Sequence, residues 1–300
     1  MDSLLKTGKH VVTAITRKES TSSIPDGVKV VKVDYDDHSS LVGALRGQDA
    51  LLITMSVKAP ADQQEKLIRA AADANVPWIF PNEWGVDSTN DQMNKDIGFY
   101  EAKLKPPRLV EALGKGSWIG VITGFWYEWS LSIVDAYGFD FKERKVTFFD
   151  DGETIFNTST WPQVGRTVAA ILSLPVHKNE QDPGPCLDQL KNDYVYASSF
   201  TISQKDMFAS AMRVTQTKAD DWIIAYEPAE DRYRAGRQAM LTGDRRGFGR
   251  MLYSRVFYKD DSGYFEKSKG LHNKLLGLPN EDLDEATKRA IQRQEEGLPW

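Results

Sequence analysis

The chain has 300 residues, of which 41% are hydrophobic and 27% are charged. This composition predicts a folded globular protein and excludes a largely disordered one. The 38 basic and 43 acidic residues give a formal net charge of −5, so no global positive field favours binding to nucleic acid or to an anionic membrane. We therefore expect no nucleic acid and no membrane as partner, and the composition leaves the oligomeric state open.

The cysteine and the apolar stretches indicate the compartment. The single cysteine cannot form an intrachain disulfide, which is typical of a reducing environment. The longest uncharged apolar stretches, 50–57 and 118–126, are shorter than the roughly 20 residues of a membrane-spanning helix, and the first residues, MDSLLKTGKH, have no apolar stretch of signal-peptide length. The expectation is a cytoplasmic protein. The four histidines are isolated in the sequence, so no metal site is expected.

The first half of the chain alternates compact apolar runs with helical periods. Apolar runs predict buried strands at 11–16, 28–33, 50–55, 77–80 and 118–122, and helical periods lie at 39–46, 61–75 and 100–113. This alternation is typical of an α/β fold with a parallel sheet covered by helices on both faces. We therefore predict a Rossmann-like doubly wound sheet over residues 1–125.

The pattern becomes less regular after Gly124. It predicts a hairpin around residues 150–152, helices at 164–174 and 204–214, and a strand at 194–198 that returns to the main sheet. Residues 126–300 are accordingly predicted to form a smaller substrate-binding region.

Several segments of the chain carry a family resemblance. They are LLKTGKHVVTAITRKES, QDALLITMSV, QQEKLIRAAADANVPWIFPNEWGVD, FYEAKLKPPRLVEALG, NDYVYASSFTISQKDMFASAMRV and LLGLPNEDLD. Together they resemble the NmrA-like and isoflavone-reductase-like atypical short-chain dehydrogenases, particularly the fungal members, and PNEWG stands where the family has Pro-Ser-Glu-Phe-Gly. The resemblance covers nearly the whole chain and implies an NAD(P)-dependent oxidoreductase.

The sequence departs from the family at its first residues. Family members begin with a strand and a G-x-x-G-x-x-G turn whose N–H groups bind the pyrophosphate, and about 20 residues of that unit have no counterpart here. Without this central strand, the strands at 11–16 and 50–55 would lack partners on their inner edges. Each unsatisfied buried group costs about 1–3 kcal/mol, so a few of them rival a net stability of about 5–15 kcal/mol. We predict either a truncated gene model or isoform, or a chain that binds its cofactor poorly.

Candidate cofactor residues follow the predicted strands. Arg17 and Lys18 come after the strand at 11–16, where two cations favour the 2′-phosphate of NADP; the alternative is an ordinary solvated loop. Ser56 and Val57 end the strand at 50–55, where the carboxyl-end rule for open sheets predicts contact with the adenosine and ribose. The resemblance also implies that Gln64 lies near this edge, although an exposed helical glutamine is an equal alternative.

The resemblance also supplies the catalytic candidate. None of the 11 tyrosines is followed by lysine four residues later, so the Tyr-x-x-x-Lys pair of the wider superfamily is absent. The similarity of FYEAKLKPPRLVEALG implies that Lys103 is the catalytic lysine, with Lys105 as its nearest competitor. Pro106 and the proline after it offer an alternative, in which the helix begins at Pro106 and Lys103 precedes it. Asn82 takes the place of the family's serine, which implies a position near the nicotinamide.

Aromatic residues after the last predicted strand are the substrate candidates. Phe125, Trp126 and Tyr127 would line a pocket for a planar compound, with core packing as the alternative. The resulting hypothesis is NADPH-dependent reduction of a small aromatic or polyketide-like carbonyl or conjugated substrate, and the resemblance to fungal members implies specialised metabolism. A noncatalytic NADP(H) sensor and a truncated product with impaired cofactor binding are the alternatives.

Overall fold

The computed structural model describes residues 1–56, 59–178, 184–244 and 246–297. Strands and helices alternate in the first part of the chain. The strands are β1 (Thr13–Arg17), β2 (Lys29–Val33), β3 (Ala50–Leu52), β4 (Trp78–Phe80) and β5 (Ser117–Ile122), and the helices are α1 (Asp2–Lys6), α2 (His38–Leu45), α3 (Gln63–Asp73), α4 (Asp91–Asp96) and α5 (Tyr100–Leu113). Each predicted strand and helix of this part is present, with boundaries that differ by a few residues.

The second part contains short strands and more helices. The strands are β6 (Phe125–Trp126), β7 (Phe139–Asp140), β8 (Lys145–Phe149), β9 (Phe156–Ser159), β10 (Asp193–Tyr196), β11 (Phe200–Ile202) and β12 (Ile223–Glu227). The helices are α6 (Tyr127–Leu131), α7 (Val134–Tyr137), α8 (Trp161–Leu172), α9 (Gln204–Thr215), α10 (Ala229–Leu241), α11 (Arg246–Arg255), α12 (Phe265–Lys269) and α13 (Leu283–Glu295). In the described part of the chain, no helix has both the length and the apolar character needed to cross a bilayer.

Parallel strands, most of them from the first part of the chain, form two separate ladders. One has the order β10-β5-β4-β3, so the strand predicted at 194–198 lies beside β5, and the other pairs β1 with β2. This arrangement confirms the predicted α/β class with parallel sheets. Among the described residues no strand lies hydrogen-bonded between β1 and β3, so the inner edges of these two strands lack a ladder partner, as the sequence predicts.

One apolar cluster packs against both ladders. It contains residues of β2, α2, β3 and α3, among them Val33, Leu41, Leu45, Leu51, Ile53, Leu67 and Ile68. Leu67 and Ile68 lie on the buried face of α3, as its helical period predicts. Side-chain packing therefore joins the two ladders where backbone hydrogen bonds do not.

The predicted hairpin around 150–152 is wrong. A turn does occur there, because Asp150 has a left-handed φ of 53° and the N–H of Gly152 donates to the carbonyl of Phe149 at 3.0 Å. However, β8 pairs with β7 and β12, whereas β9 pairs with β6 and β11 in another sheet. The turn signal is local, but strand pairing is decided by which apolar faces become buried together.

Helix α5 continues through its two prolines, so the alternative start at Pro106 is wrong. The N–H of Lys103 already donates to the carbonyl of Phe99 at 2.9 Å, and the helix ends at Gly114, which is left-handed with φ 62°. Proline has a helical φ, and its cost in a helix interior is a lost hydrogen bond and crowding against the preceding turn. Pro106 and Pro107 are both buried, and packing of this face offsets that cost.

Candidate active site

The segment after β4 is joined to the end of β3 through Asn82. Its side-chain Oδ1 accepts from the N–H of Met55 at 3.2 Å, and its Nδ2 donates to the carbonyl of Met55 at 3.3 Å. The backbone N–H of Asn82 donates to Oε1 of Gln64 at 2.8 Å. Asn82 and Gln64, both predicted from the sequence, therefore lie together at the carboxyl edge of the sheet, where ligands enter open α/β folds.

Lys103 reaches this edge from the first turn of α5. Its Nζ donates to the carbonyl of Asn82 at 3.3 Å and to Oε2 of Glu83 at 2.9 Å. The Lys103 side chain is 14% exposed, whereas Lys105 is exposed. The structure thus places Lys103, and not its competitor, beside Asn82.

Glu83 is the functional candidate that the sequence reasoning missed. Its side chain is 1% exposed, and the hydroxyl of Ser88 donates to the same Oε2 atom that accepts from Lys103. A buried carboxylate requires a counter-charge and hydrogen-bond donors to offset its desolvation. The available signal was an ionisable residue directly after a fully buried strand, in PNEWG.

Tryptophan side chains fix the backbone that carries Glu83. The indole N–H of Trp84 donates to the carbonyl of Ile53 at 2.8 Å, and that of Trp126 donates to the carbonyl of Trp84 at 2.9 Å. The carbonyl of Gly85 accepts from the N–H groups of residues 123 and 124 at 3.2 and 3.0 Å. Hydrogen bonds from β3 and from the segment after β5 therefore hold the 82–85 backbone in place.

The remaining cofactor candidates lie at the surface. Arg17 ends β1 and is exposed, and Lys18 forms an exposed 3.3 Å ion pair with Asp34. The backbone N–H of Asp36 and the Lys18 ammonium hold the pKa of Asp34 below its ordinary value. Ser56 is exposed after β3. The prediction for Val57 falls outside the described residues.

The aromatic candidates divide between two environments. Phe125 and Trp126 are half-buried, and the ring of Phe125 lies 4.2 Å from that of Tyr253. Tyr127 is 0% exposed and its hydroxyl bonds that of Thr287 at 2.8 Å. The structure therefore places Tyr127 in the core, not on a pocket wall, because α6 turns it towards α13.

Tyr253 extends the aromatic surface near Phe125 and was also missed. Its hydroxyl bonds the hydroxyl of Ser130 at 2.9 Å, and burial raises the pKa of Tyr253 to about 12. It therefore stays a neutral phenol at physiological pH. Among the described residues, no group of three or more His, Cys, Asp or Glu side chains is arranged to hold a metal ion.

Comparisons with known proteins relate this site to a family. Residues 1–145 match the model of the NmrA-like family. The oxidoreductase aprR of Aspergillus flavus is 25% identical over 281 residues, which cover 92% of this chain and 89% of that protein. A crystal structure of isoflavone reductase has a TM-score of 0.74 at 20% identity and covers 97% of this chain and 93% of its own.

A second solved structure shares the fold. AtPrR2 with NADP+ and (+)pinoresinol has a TM-score of 0.71 at 17% identity, and covers 96% of this chain and 92% of its own. The fold likeness covers nearly the whole chain. The chain is therefore NmrA-like over residues 1–145, and its relatives together support an NAD(P)-dependent oxidoreductase.

Proposed function

We propose that this chain reduces a small aromatic or polyketide-like carbonyl or conjugated substrate with NADPH. The observation that carries the proposal is the position of the Lys103 amine, held beside Asn82 and Glu83 at the carboxyl edge of the sheet. An ammonium has three N–H donors, and two of them have acceptors among the described residues. The third remains available for a substrate oxygen.

In the proposed reaction Lys103 is the general acid. NADPH, when bound, supplies the hydride. The Lys103 ammonium donates a proton to the substrate oxygen as negative charge develops there, so that a carbonyl gains one hydride and one proton and becomes an alcohol. For a conjugated substrate, the same proton stabilises the enolate oxygen. A proton from water then restores the ammonium.

Two cations at the end of β1 support NADP as the cofactor. Arg17 ends β1 and Lys18, which pairs with Asp34, follows it, so both cations would hold the 2′-phosphate. Ser56 and Gln64 would lie along the adenosine and ribose side. Between β1 and β3 the described chain supplies no strand, which supports the prediction that pyrophosphate is held weakly.

The half-buried rings of Phe125 and Trp126 support an aromatic substrate. They follow β5 directly and share the segment that holds Trp84. Aromatic side chains offer a planar substrate apolar contact and ring stacking. A role in specialised metabolism rests on the resemblance to fungal members.

The test measures binding and turnover separately. NADPH and NADH are titrated against the purified chain by nucleotide fluorescence, and NADPH oxidation is then followed with a panel of enones, aldehydes and quinones. We expect turnover by the unsubstituted chain and by Lys105→Ala, and a loss of at least 100-fold in Lys103→Ala with unchanged NADPH affinity. Retained turnover in Lys103→Ala would exclude the acid role, and binding without oxidation would favour the sensor.

A further inference from the structure

We infer that Glu83 is a positioning residue that fixes the Lys103 amine for proton delivery. This inference rests on the proposed function for its catalytic meaning, but the contact on which it depends is structural. Glu83 Oε2 accepts from Lys103 Nζ at 2.9 Å and from the hydroxyl of Ser88. Both donors converge on one carboxylate oxygen.

Lysine needs such a partner because its side chain is long. A free lysine side chain has about 2 kcal/mol of rotamer entropy, so an unheld amine would deliver a proton from many positions. Here Asn82 and Glu83 accept two of its N–H groups. Because the tetrahedral ammonium is bonded at two positions, the direction of its third N–H is fixed.

The carboxylate is itself held rigidly, so it can position another group. The backbone on both sides of Glu83 is tied by Asn82 to Met55 and by Trp84 to Ile53. Glu83 is 1% exposed, which excludes water as a competing partner and strengthens the ion pair relative to one in solvent.

A labelling experiment tests the contact without turnover. The unsubstituted chain and Glu83→Gln are treated with an amine-reactive acetylating ester at pH 8, and mass spectrometry gives the rates at Lys103 and Lys105. Lys105 lies on the same helix and is exposed, so it is the internal reference. We expect Lys103 to react at least tenfold more slowly than Lys105 in the unsubstituted chain, and the ratio to rise about tenfold in Glu83→Gln, equivalent to ~1.4 kcal/mol.

Equal rates at the two lysines in the unsubstituted chain would overturn the inference, even if Glu83→Gln failed to fold. An unchanged ratio in folded Glu83→Gln would also overturn it. The control is Glu101→Gln, an exposed acid on the same helix, which should leave the ratio unchanged. A general loosening of the fold would also raise labelling at the part-buried Lys66 and Lys205, which the same spectra report.

The catalytic consequence is measured separately. With the substrate found in the panel, Glu83→Gln should lower kcat at least tenfold while the NADPH dissociation constant stays within twofold, and Glu101→Gln should change neither. An unchanged kcat would overturn the positioning role. Absence of turnover in the unsubstituted chain would instead refute the proposed function, while the labelling rates would still decide whether Glu83 holds Lys103.

Discussion

The Asn82 side chain mimics a strand neighbour for Met55. It accepts from the N–H and donates to the carbonyl of the same residue, and so supplies both of the backbone partners that a neighbouring strand would provide. β3 and β4 end at residues 52 and 80, so this amide extends their pairing beyond the last backbone bonds. Gln64 in turn accepts from the backbone N–H of Asn82. Asn82 is thus held through both its side chain and its backbone.

Asn82→Asp should therefore disrupt the site. The substituted oxygen would face the Met55 carbonyl, so we expect a loss of about 1–3 kcal/mol in the free energy of unfolding and weaker NADPH binding. Asn273 is a matched control, because its side chain bonds the N–H and carbonyl of Ser198 in the same way. Urea unfolding should show comparable losses for Asn273→Asp, whereas NADPH titration should show weaker binding only for Asn82→Asp.

Lys103→Met should destabilise the fold as well as stop turnover. It would leave the buried Glu83 carboxylate without its counter-charge, at a cost of about 3–5 kcal/mol. Adding Glu83→Gln should recover part of this loss, because the double variant contains no unpaired buried charge. Arg69→Met, which breaks the exposed pair with Glu65, should cost under about 1 kcal/mol. Additive losses in the double variant would contradict the coupling.

Gly124→Ala should be more disruptive than an ordinary glycine substitution. Gly124 has φ +68°, and a Cβ there would overlap the carbonyl oxygen of Asn157. Gly47 has φ +75° with open space around the same position, so Gly47→Ala would have only the left-handed backbone cost of about 1–2 kcal/mol. Thermal unfolding should show a larger fall in Tm for Gly124→Ala. Equal falls would mean that the backbone shifts to relieve the contact.

Arg17 should contribute more than Lys18 to discrimination between NADPH and NADH. Lys18 already pairs with Asp34, so recruiting it to a phosphate would break an existing contact. We expect Arg17→Ala to reduce the NADPH preference about tenfold, consistent with ~1.5 kcal/mol for a charged hydrogen bond, and Lys18→Ala to reduce it less. Lys32→Ala, an exposed change on β2, is the control. A larger effect of Lys18 would reverse this assignment.

Acid should destabilise the fold partly through His272. Burial lowers the pKa of His272, and its Nδ1 accepts from the N–H of Tyr196 at 3.1 Å, which requires an unprotonated nitrogen. The folded state thus favours the neutral ring, so this contribution is present above the unfolded pKa of roughly 6.5 and is lost as the pH falls through the lowered folded value.

Urea unfolding at pH 7.5 and 5.5 measures this dependence. The free energy of unfolding should decrease less between the two pH values in His272→Gln than in the unsubstituted chain. His177→Gln is the control, because His177 lies exposed and pairs with Asp188. An identical decrease in His272→Gln and the unsubstituted chain would show that His272 does not contribute.

The sequence predicted those features that depend on local pattern. The five apolar runs correspond to five parallel strands, and the helical period at 61–75 corresponds to α3. These elements were predictable because the spacing of apolar residues shows which face of an element is buried. The partner of Lys103 was not predictable in this way, since Glu83 lies in the segment after β4 and the two meet only when α5 packs against the sheet. The hairpin at 150–152 failed for a related reason: the turn residues specify a bend, but not which strands will neighbour each other.

The division between the β1-β2 and β3-β4-β5-β10 ladders has a mechanical consequence. Among the described residues the strands of the two ladders share no backbone pairing, so the ladders can slide or part without breaking such a bond. Under mechanical force or in mild denaturant, the two ladders should separate before either one unfolds. Amide protons of Thr13–Arg17 should then exchange before those of Ser117–Ile122. Arg17 and Lys18 at the end of β1 would then move relative to Lys103.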